Sequence, residues 1–117
     1  MKYKEIAYIL SCLVFLILTI IAGIHIVTII RRTKYQSFPN TALLLETLDD
    51  EPMATLSVNL QFPLLPHFVA IKNYAENEGV EASLIKAQVI EAEPIEFVES
   101  GSVRIPVYAL GEAGLKL

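Results

Sequence analysis

Ala7–Ile30 reads AYILSCLVFLILTIIAGIHIVTII, 24 residues without Asp, Glu, Lys or Arg. A helix of that length, at about 1.5 Å per residue, covers about 36 Å, against a hydrocarbon core of about 30 Å. Arg31, Arg32 and Lys34 close the run. It therefore reads as a transmembrane helix, with the rest of the chain arranged around it. The run exceeds the h-region of a signal peptide, and no small-residue cleavage site precedes the arginines, so the expectation is a retained anchor.

Charge divides at the same place. Residues 1–34 carry five basic groups against Glu5, a net of +4; residues 35–117 carry four against twelve carboxylates, a net of −8. An acidic unit on a basic collar repels nucleic-acid phosphates and anionic headgroups. No nucleic-acid partner is expected; basic partners and cations are favoured. By the positive-inside count, three basic residues after the run against two before it put the C-terminal unit on the cytoplasmic side, by one charge.

Inside the run, Thr19 and Gly23 stand four apart and form a small-xxx-small pair, a spacing that lets two helices approach. His25 is the one ionisable group there and joins them as a candidate helix–helix contact. Cys12 is the chain's one cysteine, so no internal disulfide forms. Arg31, Arg32, Lys34 and Tyr35 are the expected membrane-flanking residues, with Tyr35 at headgroup depth.

The expected domains are an N-terminal tail and anchor (1–32), a juxtamembrane linker (33–40), a small acidic α+β domain (41–110) and a flexible tail (111–117). In the third, Leu56, Val58, Leu60 and Phe62 alternate with polar residues, which predicts a half-buried central strand over Ala54–Phe62. Pro66 opens a predicted helix ending at Glu78, before Gly79. Residues 80–93 fit a strand, or a helix with Ala82, Ile85, Val89 and Ala92 on one side; strand is the expectation. Ile95–Val98 and Val103–Tyr108 flank a Gly-containing loop and read as a hairpin. Pro106 removes a ladder donor and suggests an edge strand or a bulge for the second arm. The fold class is thus α+β: one transmembrane helix, then a mostly antiparallel sheet with one covering helix.

Chemistry is sparse. His67 has no second histidine for a zinc site. Asp49, Asp50 and Glu51 lack the ligand spacing of a calcium loop. There is no phosphate-binding glycine loop. No enzyme, metal or cofactor is expected. Glu91, Glu93, Glu96 and Glu99 form an acidic series suited to solvent or to a basic partner. The expected function is a membrane-anchored protein-interaction module, an accessory or assembly subunit of a membrane complex. It would contact the bilayer and a membrane protein or further copies of itself. The alternatives are a membrane-bound sensor for a cation or basic ligand, or a winged-helix-like protein-contact domain.

Overall fold

The computed structural model describes the backbone of residues 4–10, 13–19, 25–49 and 51–117, and side chains of residues 28–49, 51–75 and 77–117. Two antiparallel sheets dominate. The first is a meander in chain order: β1 (Lys4–Leu10), β2 (Leu13–Thr19), β3 (His25–Lys34), β4 (Thr41–Thr47) and β5 (Pro52–Thr55). The second comprises β6 (Phe68–Ala70), β7 (Glu96–Ser100) and β8 (Val103–Ala109), with β8 in the middle. A one-turn 3-10 helix (Ala75–Asn77), α1 (Val80–Lys86) and α2 (Glu112–Leu115) complete the architecture.

The helix expected over Ala7–Ile30 falls in part on residues 11–12 and 20–24, which lie outside the described residues. The described remainder is strand. The end of the run is strand: Thr28 and Ile30 are buried, and Thr28–Lys34 pair in register with Thr41–Thr47. Hydropathy does not separate helix from strand. Ile26, Val27, Thr28, Ile29 and Ile30 are five successive β-branched residues, stiff at χ1 and suited to a pleated surface. No helix among the described residues is long and apolar enough to cross a membrane, which says nothing of strands.

One core spans both sheets. Ile30, Leu43 and Leu45 of the first meet Val69, Tyr108, Leu110 and the α1 residues Val80 and Leu84. The core thus takes in Ile30, upstream of the expected boundary at Thr41. Residues 33–40 are no free linker: Thr33 and Lys34 belong to β3, and the Tyr35 amide donates to the Asn40 carbonyl at 3.0 Å. The expected flexible tail is docked, with Ala113 and Gly114 of α2 buried. Two carbonyls hold it: Gln88 accepts from the Ala113 amide at 2.9 Å, and Val89 from the Gly111 amide at 2.9 Å.

The predicted strand Ala54–Phe62 is shorter and does more than expected. The regular ladder ends at Thr55, and the next residues join the sheets. The Leu56 amide donates to Leu43, Lys72 donates back to Leu56, and Val58 donates to Ala70. Ser57 sits on the polar side of the alternation yet is buried. Its Oγ accepts from the Leu43 amide at 3.0 Å and lies 2.8 Å from the Tyr35 hydroxyl. A short side chain thus replaces a missing ladder partner.

Two predicted elements exchange character. Pro66–Glu78 contains strand β6 and the 3-10 turn, because Val69, Ala70 and Ile71 are buried in succession and need cover on both faces. Residues 80–86, expected as strand, form α1, with Val80, Ser83 and Leu84 buried, followed by Ala87. That i, i+3, i+4, i+7 stripe faces the core. It is not the Ala82 stripe read from the sequence, and Ala82 is exposed.

The hairpin stands as predicted, turning at Gly101 with φ +61°. Its second arm is central rather than at an edge. Pro106 is tolerated because its backbone points toward β6, which ends at Ala70. Beyond that end Pro106 only accepts, from the Ile71 amide at 3.0 Å. Small antiparallel sheets with few helices are the architecture of the described residues.

Candidate interaction surface

The acidic series lies along the β7–β8 hairpin and the loop that enters it. Alternation on β7 puts Glu96, Val98 and Ser100 on one face, and Phe97 and Glu99 on the other. Val98 packs with Ile105 and Val107 in a smaller apolar cluster, which anchors the strand. On the opposite face Arg104 spans two neighbours. Its guanidinium lies 4.1 Å from the Phe97 ring centroid, and its Nε is 3.6 Å from Glu99 Oε1. Glu99 and Arg104 are register partners, so part of the acidic charge is balanced within the hairpin. Glu91, Glu93 and Glu96 are exposed. The four carboxylates form a band around one sheet edge rather than one flat face.

The backbone of that edge follows from Pro106. Since its carbonyl accepts from the Ile71 amide just past β6, Ile105 and Val107 direct their amide groups toward β7, and the Val107 carbonyl accepts from the Ile95 amide at 2.8 Å. Val98, opposite Ile105, points inward. Phe97 and Glu99 therefore point their N–H and C=O groups outward, where no described strand pairs with them. Ile95 and Phe97 are each about half exposed along the same edge.

The other sequence candidates take different places. Arg31 makes a two-pronged contact with Glu46, Nε to Oε1 at 2.8 Å and Nη2 to Oε2 at 3.0 Å. That hydrogen-bonded guanidinium holds the Glu46 carboxyl below the usual range. Arg32 donates from Nη1 to the carbonyls of Gly114 and Leu115, both at 3.4 Å. Burial pushes the Tyr35 phenol up, against its bond to Ser57. Lys34 is exposed at the end of β3. Thr19 and His25 are register partners in β2 and β3, and Gly23 lies outside the described residues.

Three features were not found from the sequence. Asn40, buried, ties two loops: Oδ1 accepts from the Leu64 amide at 2.7 Å and Nδ2 donates to the Phe62 carbonyl at 3.0 Å. The Tyr108 hydroxyl donates to Glu81, whose other oxygen accepts from Asn73 at 2.7 Å. Burial first, then the Glu81 carboxylate, pushes this phenol well above its ordinary range. A tyrosine within an apolar strand signals such a partner, because a buried hydroxyl seeks an acceptor. A cleft of about 350 Å³ is lined by Ile85, Gln88, Ile90, Glu91, Gly111 and Glu112, among others. Among the described residues no three His, Cys, Asp or Glu side chains converge as metal ligands.

The chain matches no protein-family model, and no curated protein or solved structure is detectably similar to it.

Proposed function

We propose that this chain is a membrane-held protein-interaction module, an accessory or assembly subunit of a membrane complex. The observation that carries the reading is the uncharged run joined without a spacer to a folded acidic unit. Ala7–Ile30 carries no Asp, Glu, Lys or Arg, and its last residue, Ile30, already lies in the core of that unit. In Leu13–Thr19 both alternating sets are apolar: Phe15 and Ile17 in one, Val14, Leu16 and Leu18 in the other. A soluble antiparallel strand leaves one polar set for water, and this one does not. A segment apolar on every side belongs in a covered core or in lipid, and the absence of charge over 24 residues favours lipid.

In a bilayer the run must satisfy its own backbone, which an open sheet does not do. The reading thus entails that residues 7–27 become helical in lipid, covering about 32 Å. The acidic unit stands outside the membrane, on the cytoplasmic side by the one-charge margin. Confinement raises its effective concentration for a membrane-bound partner.

Three measurements test this. The full chain is expected in the membrane fraction after alkaline carbonate washing, and a reporter fused after Leu117 is expected to be active on the cytoplasmic side. Purified in mild detergent from its native source, it is expected with co-purifying subunits. Release by carbonate, or recovery only as a lone monomer at native abundance, refutes the proposal.

A further inference from the structure

We infer that the open edge of β7 takes an extended, positively charged segment of a partner protein as an added strand. The inference rests on the interaction-module reading and specifies its partner. The outward N–H and C=O groups of Phe97 and Glu99 offer main-chain pairing, the source of affinity in strand addition. Exposed Ile95 and Phe97 give an incoming strand apolar contact.

The charge selects the occupant. Glu96 and Glu99 flank the edge from opposite faces, and Glu91 and Glu93 precede it. A strand with Lys or Arg at facing positions gains a factor of about two to five for each opposite-charge pair. A second β7 would bring the same carboxylates together. Acid on an edge ordinarily prevents pairing between copies. Here that same charge rejects another β7 and admits a cationic strand. Arg104 occupies Glu99 only at 3.6 Å, in an exposed pair that an incoming cation can displace.

The test uses the full chain in detergent micelles, titrated calorimetrically with a short synthetic peptide alternating Lys and Val. Two control peptides replace Lys by Glu, or carry N-methyl groups that block main-chain pairing. The Lys peptide is expected to bind saturably and more weakly as salt rises. The controls are expected to bind at least about tenfold more weakly. Phe97→Pro removes an outward N–H while keeping the strand's charge, a substitution edges tolerate. It is expected to lose binding about tenfold, whereas Phe97→Leu keeps it. Glu96→Gln with Glu99→Gln is expected to weaken binding several-fold.

No binding of the Lys peptide, equal binding of either control, or full binding by the Phe97→Pro protein overturns the inference. Self-association of the chain that Phe97→Pro abolishes also overturns it, by naming a second copy as occupant. Co-purification of subunits in mild detergent does not depend on this titration, so the two readings fail separately.

Discussion

The Tyr108 hydroxyl donates to the Glu81 carboxylate and so ties the central strand of the second sheet to the first turn of α1. A helix of seven residues is too short to persist alone, and its place is set by packing and by this bond. Tyr108→Phe keeps the ring and leaves Glu81 with Asn73. A loss of about 1–2 kcal/mol is expected in urea unfolding at neutral pH.

The same pair gives an alkaline signature. The folded phenol titrates above its unfolded value of about 10. Its contribution is fully present below the unfolded value and is lost as pH rises through the folded one, because above about pH 10 the unfolded chain holds fewer protons. Unfolding midpoints of the wild type are expected to fall above about pH 10, and Tyr108→Phe is expected to flatten that limb. Parallel limbs in the two proteins would refute the assignment.

Glu46 supplies the acid counterpart. Arg31 lowers its folded carboxyl, so its contribution is present above the unfolded value and lost as pH falls through the folded one. Glu46→Gln is expected to make stability less dependent on pH in the acid range, with little change at neutral pH in moderate salt. Thermal unfolding at a series of pH values measures this.

Asn40→Ala orphans the Leu64 amide and the Phe62 carbonyl together. About 2–3 kcal/mol of stability is expected to be lost. Amide exchange at Leu64 is expected to accelerate more than exchange at Val69 in the core. Uniform acceleration across the chain would mean that Asn40 supports the whole fold rather than the loop pair.

Gly114→Ala tests the docked C-terminus. A Cβ there would stand well inside contact distance of the Val89 carbonyl oxygen, which is backbone and cannot swing aside. A loss of about 2 kcal/mol or more is expected, together with release of the Arg32 contacts. An unchanged melting temperature would show that residues 111–117 do not pack.

Local chemistry made some of this legible. The hairpin was readable because β-prone runs flanked a glycine that turns with positive φ. The acidic series was readable as a charged surface, but its wrapping of one strand edge was not, since that depends on the ladder direction of Pro106. Residues 80–86 form a helix although their apolar residues suit either period. The core decided for helix by burying Val80, Leu84 and Ala87. Ser57 and Asn40 gave no signal, because a polar residue near a turn is ordinarily solvated.

Amino-acid order alone determined the two-part character of the chain. An uncharged apolar run precedes an acidic, cysteine-free unit, and composition suffices to say so. Tertiary structure decided that Ile30 joins the core, which strand lies at the centre of the second sheet and which edge stays open. Those outcomes rest on contacts between residues far apart in the chain: Ile30 in a core with Leu84, Arg32 against the Gly114 carbonyl, and Ile71 donating to Pro106. Hydropathy and propensity act over a few residues at a time, so the direction of a carbonyl or the cover on a strand's second face lies beyond their reach.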